Sequence, residues 1–186
     1  MKMIWFVSLA FLLASFAFAD STNYARHVDR GVGAAVNILW PLPPFKTIEV
    51  KLLIPITDGA DLVLGFGRQA WTLGEGAKVS PGAMDSNAFI IGVKQYLFRT
   101  STVGEYDAWL AHDRLTAPDG QVYAGWSLSN EFFGGYDFYL GGSRAIVSAG
   151  VNAGFWSWKS YQTPKDDRFV LTTLPKFNLG YEAKKK

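Results

Sequence analysis

Few residues of this chain have side chains that could do chemistry, and one set combines a hydroxyl, an imidazole and carboxylates. Asp85 and Ser86 are adjacent in the sequence, and His112 and Asp113 form a second adjacent pair. A histidine that accepts a serine proton while a carboxylate orients its ring is the arrangement of an activated nucleophile. If the two segments lie in neighbouring loops, Ser86 and His112 could pair, oriented by Asp85 or Asp113. All four residue types are also ordinary loop residues, so a purely structural role stays open.

Metal and cofactor chemistry have little support in the residue types. The chain has two histidines, His27 and His112, and no cysteine. No group of His, Asp and Glu has metal-ligand spacing, and Gly-x-Ser-x-Gly is absent. The Gly31-x-Gly33 and Gly65-x-Gly67 pairs lack the third glycine of a dinucleotide site. We therefore expect no metal and no cofactor.

The elements that must position these residues show a period of two. In residues 47–54, the apolar side chains of Ile48, Val50, Leu52 and Ile54 alternate with polar ones. Alternate residues of a strand point to opposite faces, so this segment predicts a strand with one apolar and one polar side. Nine candidate strands follow this pattern, at 31–40, 47–54, 60–71, 87–98, 106–111, 121–133, 136–140, 145–158 and 176–182. A single-chain bacterial barrel has an even number of strands, so we predict eight, with the 121–142 region the least regular.

Turn-forming residues separate these segments. Residues 57–59, 134–135 and 141–143 favour tight hairpins, and the prolines at 41–44 must interrupt strand pairing. Longer polar links are expected at 74–86, 112–120 and 160–168. Before the first strand, Arg26, His27, Asp29 and Arg30 are interpreted as a solvated N-terminal arm.

Residues 1–19 have the features of a secretory signal peptide. Lys2 supplies a positive charge, an apolar stretch follows, and the segment closes with Ala17–Phe18–Ala19. We therefore predict export and a single domain over residues 20–186. The formal net charge of +2 gives no case for nucleic-acid binding.

The polar faces of the predicted strands distinguish two kinds of barrel. A soluble barrel fills its centre with bulky apolar side chains, whereas a membrane barrel turns its apolar face to lipid and keeps a polar interior. Here the less apolar faces carry many Gly, Ser and Asn residues. They also carry the residues that we assign to a polar lumen, namely Glu49, Lys51, Lys94, Glu131 and Asn152. These residues could pair as structural charges, or they could line a narrow polar path or ligand site.

The signal peptide, the alternating strands and Gly- and aromatic-rich segments such as 125–128 resemble the small outer-membrane β-barrel class of Gram-negative bacteria. The resemblance covers most of residues 31–182 and is architectural. It implies an all-β, antiparallel up-and-down β-barrel of about eight strands in contact with outer-membrane lipid, with loops at 72–86, 112–120 and 159–167 facing outward. One departure is the C-terminus, where five residues follow Tyr181, although such proteins commonly end in an aromatic residue.

The resemblance implies a structural or surface-interaction role in the outer membrane, without catalysis. Some barrels of this class modify lipid A or phospholipid with a His, a Ser and a carboxylate, which would assign a catalytic role to Ser86, His112 and Asp113. A third possibility is a soluble periplasmic or secreted β-barrel that binds an apolar ligand.

Overall fold

The computed structural model describes residues 21–38 and 46–185, with side chains from residue 25 onward. A short helix, α1 (Ser21–Val28), precedes eight strands. The strands are β1 (Arg30–Asn37), β2 (Thr47–Thr57), β3 (Ala60–Leu73), β4 (Gly82–Tyr96), β5 (Thr102–Thr116), β6 (Val122–Tyr139), β7 (Ala145–Lys159) and β8 (Thr172–Lys184). Residues 1–19 and 41–44 lie outside the described residues. The signal peptide and the interruption of strand pairing at the prolines therefore remain predictions.

The strands form a closed ring in sequence order. Each strand pairs antiparallel with the next, and β1 also pairs with β8, where Ala34 lies opposite Tyr181. The predicted eight-stranded up-and-down barrel is therefore confirmed. Helix α1, the C-terminal end of β8 and the turns at 58–59, 97–101 and 140–144 share one end, here called the termini end. The connections at 74–81, 117–121 and 160–171 share the other, here called the loop end.

Burial alternates residue by residue along the strands. In β4 every second residue from Gly82 to Tyr96 is buried, and each residue between them is exposed. In β2, Ile48 is 50% exposed whereas the neighbouring Glu49 is 1% exposed. The pleat places successive side chains on opposite faces, so the ring has an apolar outside and a largely polar inside.

The prediction of a hairpin at residues 134–135 is wrong, because β6 runs through both glycines. A Cβ atom on Gly135 would lie 2.4 Å from Ala149 O and 2.6 Å from the Phe133 ring. A Cβ on Gly150, opposite Gly135 on β7, would lie 2.2 Å from Gly134 O. Gly135 and Gly150 thus allow close approach of two strands beneath an aromatic ring, and they do not form a turn. The hairpins predicted at 57–59 and 141–143 are confirmed.

Two of the predicted polar links are shorter than expected. Strand β4 begins at Gly82 and β5 ends at Thr116, so 82–86 and 112–116 belong to strands. These ends pair with each other, with Ala83 opposite Thr116 and Asp85 opposite Arg114. Backbone pairing therefore continues where the alternation of side-chain polarity weakens.

The N-terminal segment is not the solvated arm that the sequence suggested. His27 is fully buried and Arg30 is 2% exposed at the termini end of the barrel. Arg26 and Asp29 are only partly buried, and Asp29 is bonded to Arg144 at 2.8 Å. None of the helices in the described ranges is long and apolar enough to cross a membrane.

Candidate functional site

Six charged side chains meet in the middle of the lumen, and we call them the central network. They come from four strands, with Glu49 and Lys51 on β2, Glu105 and Asp107 on β5, Glu131 on β6, and Lys176 on β8. All six are at most 8% exposed. Because alternate residues share a face, Glu49 with Lys51 and Glu105 with Asp107 project inward from positions two residues apart.

Lys51 links β2 to β5 across the lumen. Its Nζ lies 2.5 Å from Glu49 Oε1 and also contacts Glu105 Oε1 and Asp107 Oδ2. Strands β2 and β5 are not neighbours in the ring, so these contacts cross the interior. A buried ammonium group is tolerated when carboxylates surround it in this way.

Lys176 forms the second crossing. Its Nζ donates to Glu49 Oε1 at 2.9 Å and also to Glu131 Oε1. Glu49 therefore accepts from both lysines through the same oxygen. The central network is continuous, and it joins β2, β5, β6 and β8 through side chains alone.

Acidic groups outnumber basic ones in the interior. Among the described residues that are buried, nine carry carboxylates and four carry cationic side chains. The side chain of Lys159 is 4% exposed and adds one further cation at the loop end. Within the central network itself, four carboxylates face two ammonium groups. The lumen is thus strongly acidic, although the whole chain has a formal net charge of +2.

A second polar network fills the termini end. Arg30 Nε donates to Asp61 Oδ1 at 2.8 Å, and its guanidinium lies 4.9 Å from the centre of the Tyr96 ring. The Tyr96 hydroxyl donates at 3.1 Å to Glu182 Oε1, and the His27 ring stacks on Tyr96 at 4.1 Å. The end of α1 and the start of β1 therefore close this end of the barrel, together with Tyr96 and Glu182.

Lys94 on β4 and Asp137 on β6 extend the polar network of the termini end. Lys94 Nζ lies 2.6 Å from Asp137 Oδ2, and the Tyr96 hydroxyl lies 3.2 Å from the same oxygen. Tyr139 donates to Glu182 Oε2 at 2.5 Å and lies 3.1 Å from His27 Nδ1.

The structure separates the candidate nucleophile from the candidate base. Ser86 and Asp113 lie directly opposite each other on β4 and β5, and both are buried. Ser86 Oγ donates to Asp113 Oδ1 at 2.6 Å, and Tyr161 OH donates to Asp113 Oδ2 at 2.7 Å. His112 is exposed on the outer face, where its ring contacts Trp126 at 5.3 Å. Ser86 and His112 thus lie on opposite sides of the barrel wall and form no pair.

Strand pairing keeps Ser86 and His112 apart. The catalytic hypothesis required two flexible loops, but both segments are strand residues held in register. Asp85, the other candidate orienting group, is exposed and lies 3.5 Å from Arg68 on the outer face. Ser86 and Asp113 instead form a structural hydrogen bond within the lumen.

Hydrogen bonds tie two connections together over the loop end. The Ser80 amide donates to Asp167 Oδ2 at 2.7 Å, Lys159 Nζ contacts Asp167 Oδ1, and Lys165 Nζ donates to Ala77 O at 2.5 Å. Burial alone would raise the pKa of Asp167, but the bonds from Lys159 and Ser80 outweigh it and hold that pKa below its ordinary value. Burial, then the Asp113 carboxylate, raises the pKa of Tyr161.

Below these connections, two tryptophans face inward. Trp71 and Trp156 stack with ring centres 5.9 Å apart, and Trp156 packs in a buried cluster with Val79 and Met84. Both rings therefore pack inside the barrel and do not contact its outer surroundings. Trp158, two residues after Trp156, is 48% exposed on the outside.

The five residues assigned to a polar lumen, Glu49, Lys51, Lys94, Glu131 and Asn152, are all buried in the barrel interior. The sequence reasoning did not single out Glu105, Asp107, Asp137 or Lys176 as lumen residues. The signal for them was present, since Glu105 and Asp107 flank Tyr106, and Lys176 alternates with Phe177. Continuing the alternation of inward and outward residues along the full length of each strand would have identified them.

No family model and no curated protein matches this chain. Among solved structures, the barrel is similar to the crystal structure of the N-terminal β-barrel domain of OprF from Pseudomonas aeruginosa. The two share 13% sequence identity at a TM-score of 0.42, and the match covers 82% of this chain and 95% of that chain. The assignment of an eight-stranded closed ring rests on the strand pairing described above.

Proposed function

We propose that this chain is an outer-membrane β-barrel with a structural or surface-interaction role. The observation that carries the proposal is the reversed polarity of the wall. Ile48, Val50 and Leu52 are 42–50% exposed, while Glu49 and Lys51 between them are at most 3% exposed. Water would favour the opposite arrangement, whereas lipid favours an apolar exterior.

The two ends of the barrel support an orientation. The turns at 58–59, 97–101 and 140–144 are short, whereas the connections at 74–81 and 160–171 are longer. Outer-membrane barrels have short periplasmic turns and longer external loops. The termini end would therefore face the periplasm, and the loop end would present the interacting surface.

The filled interior supports a structural role, because side chains occupy the lumen. An eight-stranded barrel is just wide enough for its side chains, and here the central network crosses it from β2 to β5 and β8. The polar interior does not suit an apolar ligand. The enzymatic alternative depended on a pair between Ser86 and His112, which lie on opposite faces of the wall.

Single-cysteine labelling tests the location and the orientation, because the chain has no cysteine of its own. Asp119→Cys at the loop end should react with a membrane-impermeant maleimide in intact cells. Asp58→Cys at the termini end should react only after the outer membrane is permeabilised. Recovery of the protein in the soluble periplasmic fraction, or labelling of Asp58→Cys alone in intact cells, would contradict the proposal.

A further inference from the structure

The central network contains more negative charge than its lysines neutralise. Four carboxylates, from Glu49, Glu105, Asp107 and Glu131, face the ammonium groups of Lys51 and Lys176. Uncompensated charge in a low-dielectric interior is costly, so two further positive charges would stabilise this arrangement.

Strand register adds to this cost at one position. Asp107 on β5 lies directly opposite Glu131 on β6, and both side chains point into the lumen. Like charges directly opposite each other destabilise a sheet. The pairing of β5 with β6 fixes the backbone positions of these two residues, so both carboxylates stay in the same part of the lumen.

Several acceptor atoms in this region have no donor. Glu49 Oε2 and Asp107 Oδ1 are buried and receive no hydrogen bond within the described residues, although the other oxygen of each group contacts lysine. Asn152 Oδ1 is also buried without a donor, and Asn152 is 5% exposed. The register places Asn152 on β7 diagonally beside both Glu131 and Lys176. A buried acceptor without a donor is costly, and a water molecule, a proton or a cation can satisfy it; for carboxylates with surplus negative charge, a cation also offsets the charge.

We propose that Glu49, Asp107 and Glu131 bind a hard divalent cation in the barrel lumen, best matched by Ca²⁺. One oxygen from each of the three carboxylates can be chosen so that all lie within 4.8 Å of one another. Opposite ligands around Ca²⁺ are about 4.6–5.2 Å apart, given Ca–O distances of about 2.3–2.6 Å. Ca²⁺ accepts irregular oxygen cages, whereas Mg²⁺ requires near-octahedral geometry that residues fixed on three separate strands are poorly placed to provide.

The proposed ion completes the charge balance. Its two positive charges equal the surplus of the central network, and we assign to it Glu49 Oε2 and Asp107 Oδ1, which receive no hydrogen bond within the described residues. The lysines would then hold Glu49 Oε1 and Asp107 Oδ2, while the ion takes the other oxygen of each of these two carboxylates.

Direct binding to the purified full-length protein tests this site. The protein is refolded in detergent with either Ca²⁺ or EDTA present, so that access to the lumen does not limit binding. Equilibrium dialysis with radioactive Ca²⁺ should then find a single saturable ion per chain. Asp107→Asn and Glu131→Gln should each weaken binding by about tenfold or more, because each removes a charged ligand. Asp113→Asn, which changes another buried carboxylate outside the site, should leave binding unchanged.

A spectroscopic measurement locates the ion. Trp109 follows Asp107 by two residues on the same inward face, roughly 7 Å along the strand. Tb³⁺, a luminescent substitute for Ca²⁺, should therefore show emission sensitised by this indole and displaced by Ca²⁺. Trp109→Phe should remove most of that emission while radioactive Ca²⁺ still binds. Emission that survives this substitution would place the ion elsewhere and contradict the proposal.

Thermal unfolding of the unmodified protein covers the case in which the variants fail to fold. An ion that binds only the folded state raises the unfolding midpoint. Ca²⁺ should raise this midpoint relative to EDTA, and more than equimolar Mg²⁺ does. An unchanged midpoint together with no saturable binding would show that protons neutralise the surplus charge, and the proposal would be wrong.

Discussion

Lys176 Nζ on β8 lies 2.9 Å from Glu49 Oε1 on β2, although the two residues are 127 positions apart in the chain and β1 separates their strands. The contact therefore depends on closure of the ring between β1 and β8. It also brings Glu131 of β6 into the same network. These ion pairs can thus form only when the barrel has closed with β1 paired to β8.

Removal of the Lys176 charge should destabilise the barrel strongly. Lys176→Met leaves Glu49 and Glu131 without an ammonium partner in the lumen, and we expect a loss of about 3–5 kcal/mol. Urea unfolding in detergent micelles measures the effect. Lys184→Ala is the matched control, because the Lys184 side chain is 74% exposed and its change should stay within about 0.5 kcal/mol. Equal stability of the two variants would argue against the buried ion pairs.

The glycines of β6 should differ sharply in their tolerance of a methyl group. Gly135→Ala would place a Cβ 2.4 Å from Ala149 O, so we expect a loss of about 1–3 kcal/mol. Gly134→Ala is the neighbouring control, since nothing lies within 4 Å of its Cβ position. The same unfolding assay checks both. A hairpin at 134–135 would instead make both substitutions costly.

The hydrogen bond between Ser86 and Asp113 should contribute to stability. Ser86→Ala removes a 2.6 Å bond to a buried carboxylate, and we expect a cost of about 1–3 kcal/mol in the urea assay. His112→Ala on the outer face should cost about 0.5 kcal/mol or less. If Ser86 and His112 acted together, both variants would instead abolish an acyl-transfer or hydrolase activity on lipid A or phospholipid.

The contacts of Asp167 with Ser80 and Lys159 at the loop end should weaken in acid. The pKa of Asp167 is lowered in the folded protein from an ordinary value of 3.8, so its stabilising effect is present above that value. It is lost as the pH falls through the lower folded pKa, when Lys159 and the Ser80 amide lose a charged acceptor. The protection of the Ser80 amide against hydrogen exchange, relative to the intrinsic rate at each pH, should fall over this range. In Asp167→Asn this protection should be lower already at neutral pH and should not fall further in acid.

A charged substitution on the apolar exterior should cost more stability at the middle of the barrel wall than at its end. Phe89 lies at the middle of β4 and is 69% exposed, so Phe89→Arg should cost about 2–4 kcal/mol when the protein folds into lipid vesicles. Phe98→Arg is the control, because Phe98 is 79% exposed in a turn at the termini end, where the cost should be about 0–1 kcal/mol. Equal costs would mean that the middle of the wall does not contact lipid.

Much of the fold could be predicted because side-chain direction along a strand is a local property. The alternation around Glu49 and Lys51 assigned both residues to the interior before any partner strand was known. The short hairpin at 57–59 was equally local, since a turn depends on a few consecutive residues. The outward position of Ile48, Val50 and Leu52 followed from the same period.

Tertiary structure alone decided which residues meet. The register of β4 with β5 sets Ser86 against Asp113 and His112 on the opposite face. Pairing with β7 carries β6 through Gly135, which lies opposite Gly150 beside the Phe133 ring. Burial of His27 also depends on the closed barrel end. The sequence by itself determined which residues of a regularly alternating strand, such as β2, share a face. The pairing of distant charges needed ring closure, because contacts across a lumen join residues whose separation in the chain carries no local signal.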